Sequence, residues 1–189
     1  MRVLGIAGSL RRGSFNGSLL RAAAERTPKG MTVDVYSEMK SIPLFDEDLE
    51  GESGPDSVAR LRHQVLAADG ILIATPEYNQ SMPGVLKNAI DWLSRPPHEV
   101  LAGKPVAIIG ATTGRWGTRL AQAAVRQTLY AAEAIVLPKP SLFVRDAANA
   151  FDCEGRLTDQ ATGDMLEAVL MAFARWITSM APRRSMTGR

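Results

Sequence analysis

The chain has 189 residues, of which 46% are hydrophobic and 22% are charged, and this composition excludes the disordered and fibrous classes of protein. Twenty-two Lys and Arg residues against 20 Asp and Glu residues leave a net charge of only +2, which argues against nucleic-acid binding. The single cysteine, Cys153, cannot form an internal disulfide bond, and no apolar run approaches the roughly 18 to 20 residues of a membrane span. We therefore expect a cytoplasmic protein that does not bind membranes.

The first half of the chain alternates apolar runs of strand length with amphipathic stretches of helix length. In chain order we predict a strand over residues 3–7, a helix capped by Ser14 or Asn16 that ends near residue 25, a strand over 32–36, a helix over 57–67 and a strand over 70–75. The third of these strands, GILIAT, is apolar throughout, which is typical of a central strand that is buried on both faces.

The second half continues the same alternation. We predict a helix over residues 85–93, a strand over 105–111, a helix over 118–131, a weaker fifth strand over 134–137 and a closing helix over 159–180. Strands that alternate with helices from end to end indicate a three-layer α/β domain with a parallel sheet. We expect residues 1–181 to form this single domain and residues 182–189 to form a flexible basic tail.

The turn after the first strand is rich in glycine, serine and arginine over residues 8–16, GSLRRGSFN. A helix start offers unpaired N–H groups and a partial positive charge, which together bind phosphate. Ser9, Ser14 and Asn16 add neutral donors, and Arg11 adds a guanidinium group. The spacing matches neither the dinucleotide-binding glycine motif nor the P-loop, so neither a Rossmann-bound dinucleotide nor a nucleoside triphosphate is favoured. An ordinary capping turn with solvated arginines remains the alternative.

Two further turns follow the third and fourth strands, so they lie at the same edge of a parallel sheet as the first turn. Residues 75–84, TPEYNQSMPG, place polar and aromatic groups between two prolines, and such a turn offers donors, acceptors and a π face to a flat ligand. Residues 112–117, TTGRWG, contain two glycines that permit close approach and a tryptophan, Trp116, that could stack on a ligand. Tyr78 and Trp116 could equally pack on the protein itself.

Together the three turns describe a ligand with a phosphate at the first turn and a planar polar ring between the other two. Flavin mononucleotide, FMN, has both parts. A lone phosphate or a sugar phosphate would not require the second and third turns. The sequence therefore predicts bound FMN.

Four stretches, in the same order along the chain, resemble the NAD(P)H-dependent FMN reductase family of flavodoxin-like proteins, which includes the bacterial chromate and quinone reductases. They are GSLRRGSFNG, IPLFDEDL, TPEYNQSMPGVLKNAIDWLSR and GKPVAIIG, and the likeness extends from residue 3 to about residue 140. The resemblance implies a flavodoxin-like fold in which a five-stranded parallel sheet of order 2-1-3-4-5 has helices on both faces.

The resemblance also implies which residues bind the cofactor. The first turn would hold the FMN phosphate and ribityl chain, the second would contact the isoalloxazine ring, and the third would close the other side of the ring. The residues implied are Ser9, Leu10, Arg11, Gly13, Ser14, Phe15 and Asn16, then Pro76, Glu77, Tyr78 and Asn79, and then Ala111, Thr112, Thr113 and Gly114. No protein side chain is expected to act as a catalytic nucleophile.

The implied reaction passes a hydride from NADPH or NADH to bound FMN and then passes electrons to quinone, flavin, azo or chromate-type acceptors by a ping-pong mechanism. Members of the family are homodimers or homotetramers, which gives residues 42–49 and 88–95 an implied role at the subunit interface. Many relatives have a glycine-richer third turn than this chain, which carries Arg115 and Trp116 there. The choice between NADH and NADPH therefore stays open.

Two alternatives to an enzyme remain. The chain could be a flavin-binding electron carrier or redox-sensing interaction protein without enzymatic activity, or a flavodoxin-like domain that has lost its ligand. Small flavin carriers of this fold tend to be acidic, whereas this chain has a net charge of +2, so the enzyme is favoured. His63 and His98 have no cysteine or second histidine at metal-ligand spacing, so no metal is expected.

Overall fold

The fold is built on one parallel sheet. The computed structural model describes residues 1–51 and 54–180 of the chain. The strands are β1 (Arg2–Ala7), β2 (Thr32–Val35), β3 (Gly70–Ala74), β4 (Pro105–Ala111), β5 (Ile135–Val136) and β6 (Leu142–Val144). The helices are α1 (Phe15–Glu25), α2 (Asp56–Ala67), α3 (Gly84–Leu93), α4 (Arg119–Ala131) and α5 (Gln160–Met180). The predicted basic tail, residues 182–189, lies outside the described residues.

The strand order is β2-β1-β3-β4-β5, and every strand pairing is parallel, so the predicted flavodoxin-like order is confirmed. The chain runs outward from β1 to β2 and then returns to the other side of β1 at β3. Loops that leave the carboxyl ends of β1 and β3 therefore diverge at the point where strand order reverses, which is where open α/β sheets bind ligands.

Helices cover both faces of the sheet, as predicted. On one face, α1 and α5 pack against strand residues such as Val3, Leu72 and Ile109. On the other face, α2, α3 and α4 pack against the alternate strand residues, such as Leu4 and Ile73. Because successive side chains of a strand point to opposite faces, a central strand that feeds two cores must be apolar at every position.

Within the described residues the sheet has six strands rather than the five predicted. β5 is shorter than the predicted strand, and the additional strand β6 follows it on the same side of β4, where β5 pairs with Pro105–Val106 and β6 with residues 109–111. Pro138 and Pro140 stand between the two strands. Since proline has no N–H group to donate to a ladder, these residues interrupt what would otherwise be one long edge strand.

Glycine is required near the end of β4 because the start of α4 lies directly on the strand there. A Cβ atom at Gly110 would overlap both the Thr118 hydroxyl oxygen and the Thr75 carbonyl oxygen. Thr118 and Thr75 are fully buried, and the Thr118 hydroxyl also accepts a hydrogen bond of 3.0 Å from the side chain of Gln122. Neither oxygen can therefore move aside without disturbing the turn after β3 or the turn after β4.

We expect Gly110→Ala to lower the free energy of unfolding by about 2 to 3 kcal/mol, because overpacking a rigid core forces the backbone to shift. Gly84→Ala, at the start of α3, is the matched control, since no atom lies within 4 Å of the position that its Cβ would occupy. The control should be neutral or slightly stabilising. Urea unfolding of both variants measures the difference, and equal effects would contradict the packing argument.

Candidate functional site

The three predicted turns leave one edge of the sheet, where the carboxyl ends of β1, β3 and β4 adjoin. We call them the first loop (residues 8–14), the second loop (75–83) and the third loop (112–118). The Gly8 N–H donates to the Ala74 carbonyl at 2.8 Å, and the Thr75 N–H donates to the Ile109 carbonyl at 3.0 Å. The sheet ladder therefore continues past the strands and fixes the bases of the first two loops.

The first loop ends in the N-terminus of α1. The Ser14 hydroxyl caps this helix by accepting hydrogen bonds from the N–H groups of Asn16 at 3.2 Å and Gly17 at 3.4 Å. Of the two caps that the sequence left open, Ser14 is therefore the one used. The Arg11 guanidinium group folds back over the loop and donates to the Gly13 carbonyl at 3.0 Å, while the Ser9 hydroxyl accepts from the Arg11 N–H at 3.4 Å.

Four consecutive main-chain N–H groups at the end of the first loop and the start of α1, those of residues 12–15, donate no hydrogen bond to any residue that the structure describes. We call these groups the N–H cradle. They lie at the positive end of the α1 dipole, and no atom stands within 4 Å of the position that a Cβ at Gly13 would take. Clustered unpaired donors at a helix start suit a phosphate group, and the Arg11 guanidinium lies beside them.

Asn16 connects the first loop to the third. Its side-chain amide donates to the Ala111 carbonyl at 2.8 Å, and its side-chain oxygen accepts from the Ala111 N–H at 2.9 Å. Asn16 is buried, so both of these bonds lie inside the protein. The amide side chain thus pairs with the last residue of β4 as a neighbouring strand would, and it holds the start of α1 against the end of β4.

The second loop makes a tight reversal after the buried Pro76. The N–H groups of Tyr78 and Ser81 each donate to the carbonyl of the other residue at 3.0 Å, and Asn79 and Gln80 between them have positive φ angles of 49° and 62°. Such a two-residue reversal requires both central residues to adopt the left-handed conformation. It presents Tyr78, which is 49% exposed, at the outer surface of the loop.

Glu77 ties the second loop to α4. Its carboxylate accepts hydrogen bonds of 2.9 Å from the N–H groups of both Leu120 and Ala121, in the first turn of that helix. Thr118 occupies the N-cap position of α4 but makes no side-chain capping bond. The cap therefore comes from a residue about 40 positions earlier in the chain, and the negative charge of Glu77 faces the positive end of the helix dipole.

The third loop is held at its base by β6 and the segment that follows it. The Thr112 N–H donates to the Val144 carbonyl at 3.0 Å, and the Thr112 carbonyl accepts from the Ala147 N–H at 3.0 Å. Beyond Thr112, the residues Thr113, Gly114, Arg115 and Trp116 are exposed. The tip of the loop is thus open to a ligand, whereas its base is anchored.

The remaining site residues are apolar. Leu10 is half-buried against the core that lies beneath α2, α3 and α4. Phe15 is half-buried against the opposite core, and its ring stands 5.6 Å from that of Phe151. Leu10 and Phe15 therefore anchor the first loop and the start of α1 to the cores on opposite faces of the sheet.

The structure brings the loops of all the predicted site residues together, but it gives the side chains two different tasks. Ser14, Asn16 and Glu77 hold helices and strands in place, whereas Arg11, Tyr78 and the third-loop tip face outward. The supporting groups were not predicted from the sequence; they belong to Ala74, Ile109, Val144, Ala147 and Leu120. These residues act through main-chain atoms, which leave no signature in the sequence.

The site carries a positive charge. The first and third loops contain Arg11, Arg12 and Arg115 and no acidic residue. The single acidic residue of the three loops, Glu77, is already bonded to the N–H groups of α4. The arrangement therefore suits an anionic ligand at the first loop, and the N–H cradle, the open third-loop tip and Tyr78 fit the phosphate and ring of FMN.

Two classes of site are not found in the part of the chain that the structure describes. No helix there is long and apolar enough to cross a membrane. Within the same residues, no three His, Cys, Asp or Glu side chains lie together as metal ligands.

Comparison with known proteins agrees with the geometry. The family model for NADPH-dependent FMN reductase matches residues 1–149. An NAD(P)H-dependent FMN reductase of Pseudomonas aeruginosa is 47% identical over 177 residues, which cover 94% of this chain and 95% of the relative. A quinone reductase of Escherichia coli is 43% identical over 179 residues, with 94% and 95% of the two chains covered.

A solved structure is similar as well. The flavoenzyme NAD(P)H:(acceptor) oxidoreductase FerB of Paracoccus denitrificans superposes with a TM-score of 0.86 at 33% identity, and the match covers 95% of this chain and 98% of that one. The chain therefore belongs to the NADPH-dependent FMN reductase family of oxidoreductases, whose cofactor is FMN and whose electron donor is NAD(P)H.

Proposed function

We propose that this enzyme uses NAD(P)H to reduce quinones through bound FMN, in a ping-pong cycle that also accepts free flavin, azo compounds and chromate. The observation that carries the proposal is the N–H cradle of residues 12–15 beside the Arg11 guanidinium, at the same sheet edge as the second and third loops. The quinone acceptor is supported by the 43% identical relative, which is named a quinone reductase. Azo and chromate acceptors follow from the chemistry of an open site that excludes few small oxidants.

Different loops would bind different parts of FMN. The N–H cradle and Arg11 would bind the phosphate, with Ser9 and Gly13 beside it, and the exposed Thr113 and Gly114 would border the ring opposite Tyr78 and Asn79. Leu10, Phe15, Pro76 and Thr112 would shape the walls through their buried or half-buried contacts. Ser14, Asn16, Glu77 and Ala111 would act mainly by holding these walls in place, because their side-chain or main-chain groups already have partners.

FMN, when bound, would supply the redox chemistry by accepting a hydride from NAD(P)H and delivering two electrons to the acceptor. The tasks left to the protein are then binding and orientation. The exposed third-loop tip leaves room for donor and acceptor to enter one after the other, which favours ping-pong kinetics.

We also propose that the protein is a homodimer or homotetramer in the cytoplasm, where NAD(P)H is available, and that residues 1–181 form one domain. The loop of residues 42–49 supports the assembly, because it presents Leu44, 83% exposed, on a rigid base. The Asn88 amide donates to the Pro43 carbonyl at 2.8 Å, as does the Trp92 indole at 2.9 Å. The ring of Phe45 packs against that of Trp92 at 4.9 Å. The loop therefore offers one exposed apolar side chain on a fixed base to a second subunit.

The purified protein should be yellow, and anaerobic NADPH or NADH should bleach its flavin absorbance, which a quinone should then restore. Steady-state rates at varied donor and acceptor should give parallel double-reciprocal lines. Intersecting lines would contradict the ping-pong cycle. A flavin that neither nucleotide bleaches would contradict the enzyme and favour the electron carrier or redox-sensing protein.

Arg11→Ala should weaken FMN binding by about 10- to 150-fold, because a charge-assisted hydrogen bond contributes about 1.5 to 3 kcal/mol. Arg12→Ala is the matched control, since Arg12 is equally exposed but its side chain contacts no described residue through a hydrogen bond or ion pair. Fluorescence titration of the apoprotein with FMN measures both constants. If both variants lost the same FMN affinity, Arg11 would contribute only through its general positive charge and not through a specific bond to the phosphate.

Glu77→Ala should lower the free energy of unfolding by about 1 to 2 kcal/mol, because two N–H groups of α4 lose their acceptor. Glu77→Gln keeps a side-chain oxygen and should recover about half of this loss. The control is Glu25→Ala, since the Glu25 carboxylate is exposed and makes no bond to the described residues. If thermal unfolding is identical in all three variants, Glu77 does not act as the helix cap.

A further inference from the structure

An open groove of about 630 Å³ lies outside the three-loop site, beside the strand that sequence analysis missed. Its polar wall is formed by Arg115 and Trp116 of the third loop, Arg119 of α4 and Arg145, which follows β6. Phe143 of β6 forms its apolar floor. We call this the arginine groove. It shares the third loop with the three-loop site, so the two sites are joined by the tip of one loop.

The three guanidinium groups of the arginine groove have no carboxylate partner among the described residues. Arg2, Arg26, Arg60, Arg95 and Arg156 each form an ion pair of 3.0 Å or less with Asp or Glu. Arg12 and Arg175 also lack an ion pair among the described residues, but the arginine groove brings three such arginines together in one lining. Like charges that gather without counter-ions repel one another, and an anion that binds between them relieves that repulsion.

No acidic residue is among the described residues that line the arginine groove. Asp146 and Asp159 line a neighbouring groove of about 520 Å³ that shares Phe143 and Arg145 with the first. The Asp159 carboxylate accepts hydrogen bonds from the Thr162 N–H at 2.8 Å and hydroxyl at 2.6 Å, and these bonds hold its pKa below the usual value. The two neighbouring grooves therefore hold two carboxylates and three arginines, and no ion pair joins them among the described residues.

The groove also offers flat apolar surfaces. The Arg119 guanidinium carbon stands 5.8 Å from the centre of the Phe143 ring, so a cation–π contact orients this arginine across the groove floor. The Trp116 indole is 76% exposed, which is unusual for so large an apolar side chain. A planar base that stacked on this indole would place its attached sugar phosphate near the arginines on either side.

We propose that the arginine groove binds the adenosine 2′-phosphate end of NADPH, with the phosphate between the guanidinium groups and the adenine against Trp116. This inference rests on the proposed function, since it assigns the donor that the three-loop site uses. A phosphomonoester carries up to two negative charges, whereas NADH has a hydroxyl group at the same position. The groove therefore favours NADPH over NADH.

The direct test is calorimetric titration of the FMN-loaded protein with adenosine 2′,5′-bisphosphate and, separately, with adenosine 5′-monophosphate. The bisphosphate should bind at least about 10-fold more tightly, and Arg145→Ala should remove most of that difference, since a charge-assisted bond to phosphate is lost. Arg145→Lys, which keeps the charge but not the planar fork, should restore part of it. Arg175→Ala is the matched control, because Arg175 is exposed on α5 and makes no ion pair within the described residues.

Steady-state kinetics supply a second readout. The ratio of kcat/KM for NADPH to that for NADH should fall by about 10-fold in Arg145→Ala and should not change in Arg175→Ala. Equal binding of the two nucleotides by the wild-type protein would overturn the proposal while leaving the enzyme's activity intact. If neither NADH nor NADPH were oxidised, the proposed function would fail, but the titration would still decide whether the groove binds the 2′-phosphate.

A competing use of the groove is contact with a second copy of this chain, and the same variant separates the two. If Arg145→Ala changed the sedimentation coefficient but not the affinity for adenosine 2′,5′-bisphosphate, the groove would be a subunit interface and the proposal would be wrong. A loss of nucleotide affinity at an unchanged sedimentation coefficient supports the nucleotide site.

Discussion

The geometry of the three-loop site depends on one buried amide. Asn16 stands in the first turn of α1, yet both of its polar groups pair with the main chain of Ala111, at 2.8 and 2.9 Å. Without this side chain, the N–H and carbonyl groups at the end of β4 would be buried without partners, and each such group costs about 1 to 3 kcal/mol. The same pair of bonds fixes the distance between the N–H cradle and the third loop. A ligand that spans these two loops therefore meets a site that has already been ordered, and less of its binding energy is lost in ordering the protein.

Glu77 follows the same physical rule at the other side of the site. Its carboxylate is bonded to the start of α4, so that the second loop is held against α4. Side chains in the three loops thus satisfy the protein's own helix ends and strand ends, and Ser14 does the same for α1. The groups that remain available to a ligand are mostly main-chain groups, namely the N–H cradle and the exposed residues of the third loop. Main-chain donors suit a phosphate well, because their positions are set by the fold and carry no side-chain entropy cost.

Sequence reasoning predicted the strands that build the site because they are unambiguous in physical terms. β1, β3 and β4 are continuous apolar runs that end at a glycine, a threonine and an alanine, so their carboxyl ends could be located to within one residue. The roles of Asn16 and Glu77 could not be predicted in this way, since their partners lie 95 and about 43 residues away and are main-chain groups. The strand β6 was not predicted because it has only three residues. Two prolines precede it and an irregular segment follows it, so its hydrophobic periodicity is too short to distinguish a strand from a loop.

The net charge of +2 conceals an uneven distribution, because arginines are concentrated in the loops at the carboxyl edge of the sheet. Arg11 precedes the N–H cradle and Arg12 begins it, and the arginine groove gathers three more arginines, one of them from the third loop. Gly110, near the end of β4, has no side chain, and this lets Thr118, the last residue of the third loop, lie directly on the strand. The packing that forbids a side chain at Gly110 therefore also fixes the base of the third loop, which carries Arg115 and Trp116. An anionic substrate with two separated phosphate groups would be attracted to both regions at once, and electrostatic focusing of this kind raises the rate of encounter without requiring a large net charge.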